Sequence, residues 1–277
     1  MSKKKPEAPA AGYSAVSLLM EGFRRALGRG GNNQEKSDKD RAQDLVEAAM
    51  EAPTATRMFG LVNTALELDP GNVDARLMRA DFRGLEGEAR IFELKDIIAG
   101  GAESLGKKAF EEMVPHFWGF VETRPYMRAR QYLAEAYRVS GRLEEAVFEY
   151  NEMLALNEND NQGVRYELLP CLLALDRLEE AGKLMQRCAD DCASNVVFTW
   201  CRVLERHLVG DPAGARAALV TARNQNAHME AYLKGHRKPP KNLPSSYAEG
   251  SKEEAVTFAS VLLLAWKKHP GVLTVFA

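Results

Sequence analysis

The chain is poor in the residues that build disulfide frameworks and metal sites. Its 277 residues include four cysteines and five histidines, and no two cysteines form a C-x-x-C pair. This pattern argues against a disulfide framework and favours a reducing compartment, so we expect a cytoplasmic protein. Cys188 and Cys192 lie four positions apart, but no histidine follows at zinc-finger spacing. We therefore predict buried free thiols and neither a metal nor another cofactor.

Long apolar runs and an excess of charge are also missing. The longest apolar run, residues 261–266, is far shorter than the roughly 20 residues of a membrane-spanning helix. The net charge of −2 and the pI of about 6.3 are unlike those of a nucleic-acid binder. Lys3 to Lys5 precede an apolar segment too short for a secretory signal, and no cleavage site follows. We expect a soluble protein that contacts membranes only peripherally, if at all.

Motifs of catalysis are likewise missing. The sequence has no G-x-S-x-G elbow, no strand pattern to support one and no carboxylate pair in a recognisable motif. The glycines at residues 28–31 and 100–101 lack the lysine and the preceding strand of a phosphate-binding loop. These absences favour a non-enzymatic protein without a small-molecule substrate.

What the chain does contain is an internal repeat. The phrase RLEEA at residues 142–146 returns at residues 177–181, and a degraded copy, GDPAGA, occupies residues 210–215. A period of 34 to 35 residues is typical of the paired helices of tetratricopeptide arrays. In the best copy the consensus positions are filled by Leu133, Ala134, Tyr137, Gly141, Ala146, Tyr150 and Met153, of which only the last departs from the consensus. The chain thus resembles the tetratricopeptide-repeat proteins.

The resemblance implies an all-α fold, a right-handed helical-repeat solenoid. Regular repeats are expected at about residues 39–72, 127–161, 162–195 and 196–229, with Asp176 replacing the glycine of the third inter-helix turn. Segment 88–126 loses the register and predicts a longer, irregular unit whose helices, 89–99 and 105–120, are separated by Gly100 and Gly101. A basic, proline-containing loop at 234–241 precedes a predicted capping helix at 251–268.

The first 38 residues are rich in Ala, Pro, Gly, Lys and Asn and predict a disordered basic tail. Within it, residues 13–27 can form an amphipathic helix whose apolar face holds Tyr13, Val16, Met20, Phe23 and Leu27. This helix either folds back to cap the first repeat or docks on a partner or a membrane surface. The open end of a repeat array favours the cap.

A narrower resemblance concerns the C-terminal part of the chain. Residues 226–233 (NAHMEAYL), the proline-containing loop, Gly250-Ser251 and Glu254-Ala255 resemble the suppressor-of-tumorigenicity-seven family. Residues 117–130 and 160–166 are similar to bacterial tetratricopeptide proteins that share this tail. Together the two resemblances cover about two thirds of the chain. They support the fold but imply no established chemistry, and the membrane-spanning segments of the eukaryotic members have no counterpart in this sequence.

Candidate binding residues follow from the repeat positions. Arg128, Gln131, Tyr166, Trp200 and Leu204 fall at concave positions of first helices in the consensus. Adding neighbouring polar and aromatic side chains gives the full predicted set: Arg124, Tyr126, Arg128, Gln131, Asn161, Gln162, Arg165, Tyr166, Trp200 and Leu204. Such a groove suits an extended peptide with acidic residues or a free C-terminus.

Structural interpretations of these residues remain open. The arginines, with Arg130, can instead form bridges between repeats with Glu122, Glu135, Asp160 and Glu167. Residues 160–163 can form a turn in which Asp or Asn caps the next helix.

We therefore predict an adaptor that binds an extended peptide or a partner helix in its concave groove. An alternative is a structural subunit of a homo- or hetero-oligomeric assembly, with helix 13–27 inserted into a neighbour. A third hypothesis is a tether to acidic lipid or RNA through the tail and the 234–241 loop, which predicts steep salt dependence.

Overall fold

The computed structural model describes residues 36–277. The predicted helix at 13–27 and all but the last residues of the predicted tail lie outside this range. The described residues are helical apart from turns and loops, with one isolated bridge between His116 and Asn157. They form two compact units, residues 36–161 and 162–277. Within the described range no helix is both long and apolar enough to cross a membrane.

The first unit is built from three helix pairs. Its helices are α1 (Asp38–Met50), α2 (Ala55–Leu68), α3 (Val73–Phe82), α4 (Gly87–Glu112), α5 (Arg124–Val139) and α6 (Leu143–Leu156), with 3₁₀ turns at Phe117–Gly119 and Val121–Thr123. The predicted repeat 39–72 spans α1 and α2, and the predicted repeat 127–161 spans most of α5 and all of α6. Helix α5 packs on both α3 and α4.

The second unit contains two helix pairs and a C-terminal helix. Its helices are α7 (Arg165–Ala174), α8 (Leu178–Arg187), α9 (Asp191–Ser194), α10 (Val196–Leu208), α11 (Pro212–Asn226), α12 (Met229–Leu233) and α13 (Lys252–Trp266), followed by a 3₁₀ segment, Pro270–Phe276. The predicted repeat 162–195 spans α7 to α9, and the predicted repeat 196–229 spans α10 and α11.

The same turn ends the first helix of four pairs. Its central residue has a left-handed backbone at Gly84, Gly141, Asp176 and Gly210, with φ of 61°, 75°, 58° and 77°. At the last three turns the next residue donates its N–H to the carbonyl five residues earlier, at 2.9 Å. This pattern is the Schellman motif, in which glycine is preferred because it has no Cβ. Asp176 therefore takes the glycine conformation without being glycine.

The repeated RLEEA phrase has a physical explanation at the start of the second helices. The Arg142 guanidinium donates from Nε to Glu145 Oε1 at 2.8 Å, and Arg177 Nε donates to Glu180 Oε1 at 2.7 Å. Each phrase thus places an arginine–glutamate fork across the first turn of a helix, where glutamate also interacts favourably with the helix dipole. Because the contact is local, it recurs wherever the phrase does.

The predicted helix break at Gly100 and Gly101 is wrong. Helix α4 continues through both residues, and its non-helical residue is Gly106, with φ 72° and ψ 164°. Gly101 is buried, and a Cβ there would lie 3.0 Å from Val73 Cγ2 and 3.4 Å from Tyr126 Cδ2. The missing side chain therefore lets α4 approach α3 and α5 closely. The second predicted helix, 105–120, ends at Glu112 and gives way to the two 3₁₀ turns.

Helix α13 is more deeply integrated than a cap over the last repeat. It begins with Ser251, whose hydroxyl accepts the backbone N–H of Glu254 at 3.1 Å, as its sequence predicts. The helix then packs on α7 and α10, the first helices of two successive pairs, and on α12. Buried residues lie on most of its circumference, including Ala255, Ala259, Leu262 and Trp266, because it is covered on several sides.

Candidate partner-binding site

The first unit holds a two-pronged ion pair between α5 and α3. Arg128 Nε donates to Asp74 Oδ1 at 2.9 Å, and Arg128 Nη2 donates to Asp74 Oδ2. Asp74 lies in the first turn of α3 and is only 3% exposed, whereas 14% of the Arg128 side chain remains accessible. The arginine therefore links two first helices, and its partner is not one of the acidic residues that the sequence suggested.

The other predicted residues on α5 make internal contacts as well. Arg124 Nε donates to the Trp118 carbonyl at 3.0 Å, and its guanidinium lies 5.8 Å from the centre of the Trp118 ring. Tyr126 is packed edge-on against Phe110 and Phe117, and its burial raises the pKa of the phenol. Gln131 is 4% exposed. These three side chains thus support the unit from within.

Arg130 makes the second internal bridge of α5. Its Nη2 lies 2.6 Å from Glu149 Oε2 on α6, and its Nη1 donates to the Tyr126 hydroxyl at 3.4 Å. The bridge joins the two helices of one pair. The structural interpretation of the arginines is therefore the one that these contacts favour, with carboxylates other than those expected.

Sequence reasoning missed a neighbouring group on the same helices. Arg90 on α4 lies 5.9 Å from the centre of the Tyr132 ring and pairs with Asp81 at 2.7 Å. Burial raises the pKa of Tyr132 to about 12. Asp81 and Tyr132 lie 9 and 42 positions from Arg90, and neither distance matches the repeat period, so no signal in the sequence could have identified this group.

In the second unit Arg165 and Tyr166 form a compact cluster with Asp191. Arg165 Nε donates to Asp191 Oδ2 at 2.8 Å, and Arg165 Nη2 donates to the Tyr166 hydroxyl at 2.5 Å. That hydroxyl donates to Asp191 Oδ1 at 3.3 Å, and the guanidinium lies 4.3 Å from the Tyr166 ring centre. Burial raises the pKa of Tyr166 to about 12. The cluster ties the start of α7 to α9.

Trp200 and Leu204 lie in the core of the second unit. Both have no exposed surface, because α13 packs on α10. The Trp200 ring centre lies 6.0 Å from that of Trp266 and 6.4 Å from that of Phe276, and its Nε1 donates to the Asn226 carbonyl at 3.3 Å. Helix α13 therefore occupies the side of α10 on which a groove was expected.

Asn161 and Gln162 mark the boundary between the units. Asn161 is exposed and is the last residue of the first unit, whereas Gln162, 7% exposed, begins the second. The flanking residues, Asp160 and Gly163, have left-handed backbones with φ of 46° and 68°. These residues thus form a turn, although α7 has no side-chain cap at its start.

The cysteines are free thiols in the second unit. Cys171 and Cys201 are buried, and Cys188 and Cys192 are half-buried. Burial raises the pKa of the Cys192 and Cys201 thiols. In residues 36–277 no group of three or more His, Cys, Asp or Glu residues is arranged to hold a metal ion.

Comparison with known proteins finds no relative of this chain. The chain matches no family model, and no curated protein or solved structure is significantly similar to it. The resemblance to tetratricopeptide proteins and to the suppressor-of-tumorigenicity-seven family therefore depends on the sequence positions given above.

Proposed function

We propose that the chain is a non-enzymatic, tetratricopeptide-like solenoid of a reducing, cytoplasmic compartment that binds a partner protein along α3 and α5. The observation that supports this proposal is a contrast between the units. Helix α13 lies across α7 and α10 in the second unit. In the described part of the first unit, α3 and α5 pack extensively only on each other, on the helices next to them in sequence and on the 3₁₀ turns.

The side chains on α3 and α5 suit a peptide whose carbonyl or carboxylate groups accept hydrogen bonds. Arg128 has five N–H donors, and two of them bind Asp74. Asp74 thereby fixes the guanidinium, so that little side-chain entropy is lost when a remaining donor binds a ligand. Tyr132 and Arg90 add an aromatic and a second cationic group on the same two helix pairs. An extended acidic peptide or the carboxylate end of a chain is the favoured ligand.

An affinity capture with matched variants tests the proposal. The bait variant Asp74→Asn with Arg128→Gln removes both charges of the first-unit pair and retains polar side chains of similar size. The control variant, Arg165→Gln with Asp191→Asn, does the same to the second-unit pair. We expect a partner from a lysate that wild type and control retain and the first-unit variant loses, while all three show the same circular dichroism. Equal capture by all three would refute a site on α3 and α5.

A second candidate function is that of a subunit in an assembly. Phe92 and Val139 are 76% and 73% exposed, more than any other large apolar side chain among the described residues. Phe92 lies one turn after Glu88, and Val139 lies three residues before Arg142, whose Nη1 is 2.9 Å from Glu88 Oε1. The ion pair therefore brings the two apolar positions into one region. Sedimentation of Phe92→Ser with Val139→Ser tests this candidate: a smaller particle than wild type favours an assembly, and an unchanged particle excludes one formed through these residues.

A further inference from the structure

The first helix pair has partly exposed apolar side chains around a small core. Between α1 and α2 the core consists of Ala42, Val46, Ala49, Val62, Ala65 and Leu66. Packed against it and only partly buried are Leu45, Met50, Met58, Leu61 and Leu68. Several large side chains thus border a core built largely from small ones.

Two contacts show which side of this pair faces α3. Gln43 Oε1 on α1 accepts a hydrogen bond from Asn72 Nδ2 at 3.3 Å, just before α3. The Phe59 ring on α2 meets the Phe82 ring on α3 edge-on, with centres 5.3 Å apart. Gln43 and Phe59 therefore mark the side that faces α3.

Helix geometry places three of the half-buried leucines on the other side. Leu45 follows Gln43 by two residues, and Leu61 follows Phe59 by two residues, a rotation of roughly 200° about the helix axis at 3.6 residues per turn. Leu68, seven residues after Leu61, shares its side. Leu45, Leu61 and Leu68 therefore form an apolar face, here called the outer face, that points away from α3.

No described helix packs extensively on the outer face. Among the described helices α1 packs extensively on α2 alone, and α2 packs on α1 and α3. The terminal unit of a helical repeat needs a polar cover because each pair buries its apolar side only against a neighbour. The outer face is where the next pair would stack, but the described chain starts two residues before α1.

The preceding chain offers an occupant of the right pattern and reach. Tyr13, Val16, Met20, Phe23 and Leu27 recur at helical spacing. Nine residues, 28–36, separate Leu27 from the Ser37 cap of α1. Extended, they span about 30 Å, which exceeds the length of about 20 Å of a 13-residue helix such as α1. A helix at 13–27 can therefore return along the whole of α1.

Charge also favours this occupant. Glu47 and Glu51 at the end of α1 are exposed, and Glu47 adds to the negative charge near Lys36. Arg24 follows Met20 by one helical turn and lies at the edge of the apolar face of the N-terminal segment, where it can reach carboxylates beside the docked helix. Opposite charges at the edge of the outer face orient the docked helix, even though each exposed ion pair stabilises it only slightly.

We infer that residues 13–27 form a helix that covers the outer face of α1 and α2 in the same molecule. Met20 and Phe23 pack against Leu45, Leu61 and Leu68, and the polar side of the helix closes the end of the first unit. This docking is independent of a ligand on α3 and α5.

Amide hydrogen exchange of the full-length chain, read by mass spectrometry, tests the inference. Met20→Asp places a charge on the predicted contact. Leu18→Asp is the matched control, because it makes the same change two residues away on the opposite side of the segment. Neither substitution touches the described core, so a loss of folding does not confuse the result.

The expected result is faster exchange of α1 and α2 amides in Met20→Asp, by about tenfold, since burial of one large apolar side chain is lost. The control should exchange like wild type. Equal rates in all three chains, or equal acceleration by both substitutions, would overturn the inference. Protection that fades on dilution of wild type would also overturn it, because the cover would then come from a second copy.

Discussion

The ion pair between Asp74 and Arg128 gives the sharpest test of how the first unit is held together. Arg128→Met removes the guanidinium but keeps a long, unbranched side chain. It leaves the Asp74 carboxylate, 3% exposed, without its two charged donors. Asp74→Leu with Arg128→Met removes both charges and fills the same space with apolar atoms. The prediction is that the single change is far more harmful than the double one.

The magnitude follows from the burial of Asp74. Breaking a buried ion pair by removing one partner costs about 3–5 kcal/mol. Asp74 lies in the first turn of α3, where the helix dipole returns about 0.5–1 kcal/mol to the remaining carboxylate. We therefore expect Arg128→Met to lower the free energy of unfolding by roughly 2–4 kcal/mol. The double variant should lie within about 1 kcal/mol of wild type, because apolar replacements of buried pairs are often neutral.

Urea unfolding followed by circular dichroism measures these differences, with Asp74→Leu alone completing the cycle. The two compact units can unfold in separate steps, so the transition that shifts must be assigned to the first unit. A loss below about 1 kcal/mol for Arg128→Met would refute the reasoning, since it would mean that water screens the pair. A double variant as unstable as the single one would refute it too.

Four further substitutions test the turns, the helix contacts and the half-buried Tyr132. Asp176→Gly should raise the free energy of unfolding by about 0.5–1 kcal/mol in urea unfolding, because φ of 58° suits glycine better than aspartate. Gly101→Val should lower it by about 1–3 kcal/mol, since even a Cβ would meet Val73 at 3.0 Å. By contrast, Gly182→Ala, with no atom within 4 Å of the new Cβ, should raise it by about 0.5–1 kcal/mol. Burial raises the pKa of Tyr132 to about 12, above its unfolded value of about 10. The resulting stabilisation, about 2–3 kcal/mol, is complete below pH 10 and disappears as the pH approaches 12, and Tyr132→Phe should remove this decline.

Local patterns in the sequence predicted an all-helical structure, and they contain the residues that form its turns. Gly141 and Gly210 end their helices because a left-handed residue is needed there and glycine adopts it without strain. The arginine–glutamate forks after Arg142 and Arg177 join residues three apart. Such features depend on a few neighbouring residues, so a short stretch of sequence is enough to predict them.

The contacts between distant segments were not predictable in the same way. Gly101 belongs to a glycine pair that resembles a helix stop, and only the approach of α3 and α5 shows that it serves close packing. Arg128 pairs with a residue 54 positions away and Arg165 with one 26 positions away, although nearer carboxylates were available in sequence. Trp200 occupies a consensus concave position, yet it is fully buried. The repeat pattern alone does not predict where α13 packs.

The position of α13 also affects how the protein is made. Helix α7 ends at residue 174 and α13 begins at residue 252, so the ribosome adds about 80 residues between them. At about 5–20 residues per second, the apolar side of α7 waits roughly 4–16 s for the helix that will cover it. The last residue of the first unit is residue 161, so its helices are all synthesised before α7. During synthesis the second unit therefore exposes this apolar side until α13 has been made, and chaperones that bind apolar segments can protect it in that interval.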